Sequence, residues 1–432
     1  MKLILEKHGT ELGKSWENFG VAEQKKLKEE IKLAVDDITS NLKNGYQEIF
    51  KFDEDKTGKV QSFDFLAVIE QFPNKIEDKE KGSLIKIFET LDELPPLHSS
   101  KFDIFSEIYQ HLMEKHTRKI FGQFFTPRHL IKTLIRLFYE EEISRIIESY
   151  NSEGDNPRTI CDPACGTGGF LTESFKYLAT NTTEIDVNAL AKKSIYGFDI
   201  YPANAVRSRI NMYLAGDGFT EIESLDSLLY TEKQFDYILT NPPFGKGDIV
   251  VDSNIITHKR LEINFLIKVI KLLKNDGKAL IIVPDGILEA TTLFSLRNWL
   301  VKNCIIEKII SLPQHEFAPY THEKTHVLIL KKRITPITDL DDIKTERIWM
   351  YIIDCDGYAN SDKRFRTDKI EDNGKWLHDE LSIWRNHKGA CHFSSLEEAW
   401  KRKVEKEGEL HTDEWGNKIE GHKYGYTTMV LV

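Results

Sequence analysis

The most informative stretch of the sequence is TICDPACGTGGFL, residues 159–171. A short apolar run ends at Asp162, a turn carries Gly166, Gly168 and Gly169, and an amphipathic run follows. This order predicts a strand, a tight loop and a helix. Glycines let the backbone approach a ligand closely, and the first turn of a helix offers free N–H groups. The spacing matches neither a G-x-G-x-x-G dinucleotide loop nor a G-K-[ST] phosphate loop.

Apolar runs alternate with amphipathic ones after this stretch, up to about residue 333. The apolar runs are rich in Ile, Val and Leu, which is typical of strands buried on both faces of a parallel sheet. They are RTICD, SIYGFDI, FDYILTN, KALIIVP, IIEKIIS and THVLILKK. The alternation predicts an α/β fold with a doubly wound, mostly parallel sheet. One further strand candidate, ERIWMYIID, follows at residues 346–354.

A second acidic residue, Asp199, ends the next predicted strand, 37 residues after Asp162. A carboxylate at this position can accept hydrogen bonds from both ribose hydroxyls of a bound nucleoside. Alternatively, Asp199 caps the helix that starts near Pro202, and both roles can hold together. Its place at the end of the second strand favours the ligand role.

The motif Asn241-Pro242-Pro243-Phe244 follows another buried strand, FDYILT. The carboxyl ends of parallel strands are where α/β sheets bind ligands. The prolines stiffen the loop and leave carbonyls free to accept, and Asn241 adds a side-chain acceptor. Two converging acceptors suit an exocyclic amine, and Phe244 offers a flat face on which a base can stack. A rigid turn alone would explain the prolines but not the asparagine and the aromatic residue together.

The pair DPACGTGGF and NPPF resembles the S-adenosylmethionine-dependent N6-adenine DNA methyltransferases. Further segments are similar to the modification (M) subunits of type I restriction–modification systems. They are FSEIYQHLMEKHTRKIFGQFFTPRHLIKTLIRL, IIVPDGILE, IISLPQHEFAPYTHEKTHVLILKK and YIIDCDGYANSDKRF. The resemblance covers about residues 102–365. It implies a seven-stranded Rossmann-like methyltransferase sheet, S-adenosylmethionine as cofactor, and methyl transfer to N6 of adenine in DNA.

The resemblance also implies roles for the residues that match the family's motifs, and it implies no metal ligands. The target adenine would be held by Asn241, Pro242, Pro243 and Phe244. The cofactor would be contacted by Thr126 and Pro127 at its methionine end, by Asp162, Ala164, Gly166, Thr167 and Gly168 along the Gly-rich loop, by Asp199 at the ribose, by Ile200 on the adenine ring, and by Asp226 at the adenine amine.

The sequence divides into three predicted parts. Residues 1–100 are highly charged, with apolar residues at helical spacing, and predict a helical domain. Residues 101–335 carry the catalytic motifs, and residues 336–432 form an extension that we expect to contact another subunit. Because little sequence follows the last motif, we expect a separate specificity subunit to read double-stranded DNA and a restriction subunit to join the complex.

Composition excludes several classes of protein. Without a run of about 18 apolar residues, we expect no membrane span. The five cysteines are odd in number and scattered, so a disulfide framework is not indicated and we expect a cytoplasmic location. The net charge of −10 argues mildly against a surface that grips nucleic acid throughout. Two alternatives remain open, a methyltransferase acting on RNA or protein glutamine and a non-catalytic assembly subunit that binds S-adenosylmethionine.

Three polar segments have less specific patterns. Residues 53–64, DEDKTGKVQSFD, are interpreted as a polar turn, and the alternative is an EF-hand calcium loop, which they match except that Asp64 stands where Glu is usual. The basic residues between positions 115 and 136 could follow a DNA backbone or form a solvated helix face. The cluster at 258–260, His-Lys-Arg, lies after NPPF and is the better candidate for phosphate contacts.

Overall fold

The computed structural model describes residues 126–151, 157–182, 185–318, 321–343, 346–353, 356–361, 364 and 424–428, with 33, 40, 53–54 and 60–61 from the N-terminal part. The predicted helical domain therefore lies almost wholly outside the described residues. In that part, Asp53–Glu54 and Val60–Gln61 pair as two antiparallel strands. The pair lies within residues 53–64, for which the polar turn and the EF-hand calcium loop both stay untested interpretations.

A nine-stranded mixed sheet forms the centre of the described structure. Its strands are β1 (Ile160–Asp162), β2 (Ile195–Asp199), β3 (Glu221–Ser224), β4 (Phe235–Thr240), β5 (Leu273–Pro284), β6 (Cys304–Ser311), β7 (Thr325–Lys332), β8 (Arg347–Ile352) and β9 (Tyr424–Thr428). They lie in the order β9-β8-β6-β7-β5-β4-β1-β2-β3. Strands β1 to β5 pair in parallel, and β7 runs antiparallel between β5 and β6. Strand β8 runs parallel to β6, and β9 runs antiparallel to β8.

Helices cover both faces of this sheet. They are α1 (Arg128–Asn151), α2 (Gly169–Asn181), α3 (Val187–Lys193), α4 (Pro202–Leu214), α5 (Leu261–Leu272), α6 (Gly286–Glu289) and α7 (Phe294–Asn303). Helices α1 to α4 contribute to one buried apolar cluster, and α5 to α7 contribute to the other. The predicted doubly wound α/β fold is confirmed. None of the described helices combines the length and the apolar character that crossing a membrane needs.

The positions of β1, β2 and β3 in the sheet explain how apolar their sequences are. All residues of β1 and β2 are buried, because central strands are covered on both faces. Strand β3 lies at the edge, and Ile222 is its one buried residue. The sequence of β3, EIES, is therefore too polar to stand out among the apolar runs.

Two strands extend the seven-stranded core that the resemblance implied, which is present as β1 to β7. Strand β8 is the candidate ERIWMYIID, and it buries Trp349 and Tyr351. Strand β9 comes from a polar stretch in which the pattern predicted no strand. The sheet thus draws two strands from beyond residue 335, while the predicted domain boundary itself stays a prediction.

A buried ion cluster fixes α1 against the sheet. Lys278 of β5 lies 2.9 Å from Glu142 and 2.8 Å from Glu307. Lys308 of β6, whose side chain is 2% exposed, lies 2.8 Å from Glu141 of α1. Burial alone would lower the pKa of Lys278, but the surrounding carboxylates raise it above its ordinary value.

Candidate active site

A cleft lies at the carboxyl ends of β1 and β4, where the strand order reverses. Strand β1 pairs with β2 on one side and with β4 on the other. In open α/β sheets, this reversal is where ligands bind. The cleft has a volume of about 330 Å³, which falls in the range of cofactor sites.

The Gly-rich loop after β1 forms one wall of the cleft. Gly166 and Gly168 have φ angles of 55° and 80°, in the left-handed region that favours glycine. Gly168 also packs against α4, since a Cβ there would overlap the Oγ of Ser208. The Cys165 amide donates to the carbonyl of Phe198 at 2.9 Å. The loop is therefore held against both α4 and β2.

Asp199 connects the Gly-rich loop to the start of α4. Its Oδ2 accepts from the Gly166 amide at 3.0 Å, and its Oδ1 accepts from the Tyr201 amide at 2.8 Å and from Asn204 Nδ2 at 3.3 Å. Helix α4 starts at Pro202 with Tyr201 as its N-cap residue, so the interpretation of Asp199 as the N-cap is wrong. Burial raises the pKa of Asp199 to about 6, and its hydrogen bonds limit the rise.

Asp162 lies buried beneath the Gly-rich loop. Its Oδ1 accepts from Thr240 Oγ1 at 2.7 Å and from the Ala164 amide at 3.0 Å. Burial raises the pKa of Asp162 to about 7, and these two hydrogen bonds offset only part of that rise. Because Thr240 ends β4, its bond to Asp162 joins the two strands that frame the cleft.

The loop after β3 forms another wall. Ser227 is buried, and its Oγ donates to the Pro163 carbonyl at 2.6 Å. The preceding residue, Asp226, accepts from the Leu228 amide at 3.0 Å and lines the cleft. The hydroxyl of Ser227 therefore fixes the distance between Asp226 and the Gly-rich loop.

Asn241 directly follows β4 and faces the same cleft. Its Nδ2 donates to the Oγ1 of Thr126 at 3.0 Å, across 115 positions of sequence. Thr126 lies just before α1, whose first residue, Arg128, pairs at 2.9 Å with the buried Glu173 of α2. The Thr-Pro segment, the Gly-rich loop and NPPF thus meet at one cleft.

Most of the predicted site residues line the cleft. They are Thr126, Asp162, Ala164, Gly166, Thr167, Asp199, Ile200, Asp226, Asn241, Pro242 and Pro243. Ile200 is 57% exposed there, which leaves apolar surface for a ligand ring. Pro127, Gly168 and Phe244 are not among the lining residues. Pro127 accepts from the Ile131 amide, and Phe244 packs against the buried cluster of α1 to α4. The predicted roles of all these residues stay predictions.

Several lining residues are assigned no role from the sequence. Phe170 ends the DPACGTGGF motif, but no role is carried over to it, and Phe265 lies on α5, where an apolar residue at helical spacing predicts core. Lys246 and Asp248 lie in the irregular loop after NPPF. Asn204 could have been found, because it lies in the first turn of the helix that follows Asp199.

The loop after NPPF is closed at its base. Lys246 and Arg260 form an antiparallel bridge, and the Gly247 amide donates to the Lys259 carbonyl at 2.6 Å. Arg260 pairs with the buried Glu262. All three residues of the predicted phosphate-contact cluster at 258–260 are exposed at the end of this loop, and the arginine among them is engaged by Glu262.

The basic stretch of residues 115–136 is described only from Thr126 onwards. There Arg128 pairs with Glu173, and Arg136 pairs with Glu140 at 2.6 Å. Both arginines are therefore engaged within the chain. Lys115, Arg118 and Lys119 lie outside the described residues.

A comparison with known protein families finds that the N-6 DNA Methylase family matches residues 100–416. The chain belongs to this family. The match includes both the Gly-rich loop and NPPF, and it confirms the resemblance that these motifs indicated. The cleft described above is thus a feature of a member of the N-6 DNA methylase family.

Individual relatives agree with the family. The type I restriction enzyme StySPI methylase subunit of Salmonella potsdam is 28% identical over 297 residues, which cover 64% of this chain and 53% of that subunit. The EcoEI methylase subunit of Escherichia coli is 28% identical over 391 residues, which cover 86% and 71%. The chain thus spans about half the length of several such relatives. A type I methyltransferase subunit from Streptococcus thermophilus shares the fold, with a TM-score of 0.51 at 18% identity over 79% of this chain and 68% of that one.

The cleft of this N-6 DNA methylase family member is acidic. Its lining includes Asp162, Asp199, Asp226 and Asp248, and among the described lining residues Lys246 is the one Lys or Arg. Even though burial leaves Asp162, whose pKa is about 7, only partly ionised at neutral pH, such a lining repels phosphate groups and attracts a cation. It therefore suits a cationic ligand with hydroxyl and amine donors.

Proposed function

We propose that this chain is a DNA methyltransferase that transfers a methyl group from S-adenosylmethionine to N6 of adenine, as the modification subunit of a restriction–modification complex. The observation that carries the proposal is the contact of Asn241 with Thr126 at the cleft that also contains Asp199 and Asp226. An acceptor for an amine lies beside a nucleoside-sized cleft, which is the juxtaposition that methyl transfer requires. The family and the named methylase subunits support the same reaction.

S-adenosylmethionine fits the chemistry of the cleft. The molecule has a sulfonium and an ammonium group, one carboxylate and no phosphate, so the acidic lining attracts it. Asp199 would accept from the ribose hydroxyls, Asp226 would accept from the adenine amine, and Ile200 would cover the ring. When bound, the cofactor supplies a methyl group on a positively charged sulfur, which leaves readily.

The target amine would be held by Asn241 and the carbonyl of Pro242. Adenine N6 is a poor nucleophile because its lone pair is conjugated into the ring. Two acceptors on its hydrogens draw the nitrogen towards tetrahedral geometry and aim it at the methyl group. The bond from Asn241 Nδ2 to Thr126 orients the amide so that Oδ1 is the end presented to the amine.

An adenine inside a duplex cannot reach this cleft, so the target base must be flipped out of the helix. Flipping loses the stacking of that base on its neighbours. Phe244, the last residue of the motif, is only partly buried against the cluster of α1 to α4, and its exposed part would replace some of this stacking. The exposed His258 and Lys259 would contact phosphates of the target strand.

The partners belong to the same proposal, because the chain spans only part of its relatives. We assign double-stranded DNA as substrate, with a specificity subunit and a restriction subunit in the complex and a cytoplasmic location. Support comes from the relatives, which are described as subunits of type I restriction enzymes.

The test is transfer of labelled methyl groups to duplex DNA by the full chain with its partner subunit. We expect N6-methyladenine as product, and a loss of about 100-fold or more in Asn241→Ala, because an acceptor for the amine is removed. Asn254→Ala, in the exposed loop, is the matched control and should act like the wild type. Equal label in wild type and Asn241→Ala would contradict the catalytic assignment. Label in RNA or protein, or cofactor binding without transfer, would favour the alternatives to DNA methylation.

A further inference from the structure

Five side chains form a compact polar cluster between the start of α1 and the segment that follows β8. We name it the tail clasp, and it consists of His129, Glu316, Asp356, Tyr358 and Arg364. His129 Nε2 lies 2.7 Å from Asp356 Oδ2 and 3.7 Å from Glu316 Oε1. Arg364 Nη2 contacts Asp356 and lies 3.3 Å from Glu316 Oε2. The ring of His129 stacks on Tyr358 with 4.7 Å between centroids.

The two carboxylates of the clasp are buried, and Arg364 pairs with both of them. Asp356 is fully buried, and Glu316 is 2% exposed. The bond from His129 and the charge of Arg364 outweigh burial, and they lower the pKa of Asp356 to about 2, so its carboxylate stays ionised. Removing one partner of such a buried pair leaves a charge without compensation, so the geometry of the clasp is strongly maintained.

A metal ion is a weaker explanation for this cluster. His129, Glu316 and Asp356 offer ligand atoms within 4.8 Å of one another. However, the guanidinium of Arg364 already contacts both carboxylates. The arginine therefore supplies the positive charge that a metal ion would otherwise bring.

The clasp acts on the segment that meets the catalytic motif. His129 lies three positions after Thr126, whose Oγ1 accepts from Asn241 Nδ2. The first turn of α1, which contains His129 and directly follows Thr126, is closed by the bond from the Ile131 amide to the Pro127 carbonyl, at 3.0 Å. On its other side, Arg128 anchors the turn to α2 through Glu173.

Neighbouring helix positions point about 100° apart, so Arg128 and His129 hold the same turn from two directions. One anchor joins the turn to α2, whose first residue, Gly169, lines the cleft and accepts from Arg128 at 3.4 Å, and the other anchor is the tail clasp. The direction in which Thr126 meets Asn241 is therefore set partly by residues more than 220 positions later in the chain.

We infer that His129 is a positioning residue for methyl transfer, which the tail clasp holds so that Thr126 orients the amide of Asn241. This inference rests on the proposed function of the cleft. It gives the segment around Asp356 and Arg364 a part in catalysis, although neither residue lines the cleft.

The first test is a double-mutant cycle on the full chain with its partner subunit. His129→Ala and Thr126→Val should each lower kcat by about 10- to 100-fold, because misplacement of a reacting group is costly. The kcat of the double variant should be no lower than that of the less active single variant, since both changes break the same chain of contacts from His129 to Asn241. His129→Gln, which keeps an amide donor near the position of Nε2, should recover most of the kcat. Purely structural damage would instead give additive losses and no rescue, and that result would overturn the inference.

The second test does not depend on activity. Hydrogen exchange at the Ile131 amide, measured without cofactor, should be faster in His129→Ala than in the wild type. Arg136→Ala is the matched control, because it removes a different ion pair of α1, with Glu140, and should leave this exchange unchanged. Unchanged exchange in His129→Ala would overturn the inference, and so would a stoichiometric divalent ion in the purified chain.

The two tests also distinguish this inference from the proposed function. If the wild type methylates DNA and the cycle is additive, the proposed function stands and the positioning role fails. If the wild type does not methylate DNA, the proposed function fails, and the exchange at Ile131 alone decides whether His129 holds the turn.

Discussion

Replacing Gly168 by alanine tests whether the Gly-rich loop needs glycine for its backbone conformation, for space, or for both. The φ of 80° costs a residue with a Cβ about 1–2 kcal/mol. The new Cβ would also overlap Ser208 Oγ and lie 3.2 Å and 3.3 Å from the Cβ and Cα of that residue. Since the Cα belongs to the backbone of α4, the overlap can be removed only if the helix shifts, and that shift should cost about 1–3 kcal/mol of stability. We expect Gly168→Ala to lower the free energy of unfolding by about 2–5 kcal/mol.

Two other glycines separate these contributions. Gly216 has a φ of 100°, and no atom lies within 4 Å of the position that a Cβ would take, so alanine there should cost only the conformational part, about 1–2 kcal/mol. Gly286 begins α6, has no positive φ, and also has nothing within 4 Å. Alanine at Gly286 should be neutral or stabilise by up to about 1 kcal/mol, because it restricts the unfolded chain.

Urea unfolding followed by tryptophan fluorescence would rank the three variants, and cofactor titration would report the loop itself. Gly168→Ala should be the least stable and should bind S-adenosylmethionine more weakly, while Gly286→Ala should bind it as the wild type does. Adding Ser208→Ala to Gly168→Ala should recover part of the loss, because the overlapping Oγ is gone. If Gly168→Ala and Gly216→Ala lose equal stability, the close packing against α4 is not what requires glycine.

Two further predictions concern charge. Because a cationic ligand favours an ionised Asp199, whose pKa is about 6, cofactor affinity should rise with pH up to about that value, by at most about tenfold per pH unit. Calorimetry should find this rise reduced in Asp199→Asn, and an undiminished rise would refute the role of the carboxylate. Lys278→Met should lower the free energy of unfolding by about 3–5 kcal/mol, since it leaves buried carboxylates such as Glu142 undercompensated. Lys331→Met, which removes a surface pair with Asp276, should cost less than about 1 kcal/mol in the same denaturation assay, and equal costs would refute the difference.

The parts of the fold that could be predicted are those in which local sequence and burial coincide. Strands β1 and β4 are covered on both faces, so their apolar runs are continuous, and the motif residues Asp162 and Asn241 stand directly at their carboxyl ends. Strand β3 could not be predicted in this way, because an edge strand with one buried residue, Ile222, has no apolar run. The strand pattern is thus visible where both faces are buried and weak where they are not.

The parts of the site that could not be predicted depend on contacts between distant segments. The bond between His129 and Asp356 joins residues 227 positions apart, and no local spacing encodes it. The N-cap interpretation of Asp199 fails for a related reason. Its carboxylate is shared between the Tyr201 amide and the Gly166 amide, and the second of these lies in a loop 33 positions earlier. A sequence motif identifies a functional residue, but the hydrogen-bond partners of that residue are known only once the sheet has brought distant segments together.

The acidic lining of the cleft helps to explain why the chain has a negative net charge. In the proposed function, acidic lining residues such as Asp199 and Asp226 would attract a cationic cofactor, and the same charges would repel the phosphates of DNA. The exposed His258 and Lys259 lie in the loop after NPPF, and screening confines their effect to about 10 Å. A net charge of −10 therefore opposes long-range attraction of DNA to this chain. Under the proposed function, cofactor binding and DNA capture would place opposite demands on one surface, and the proposed specificity subunit would meet the second demand by holding the DNA.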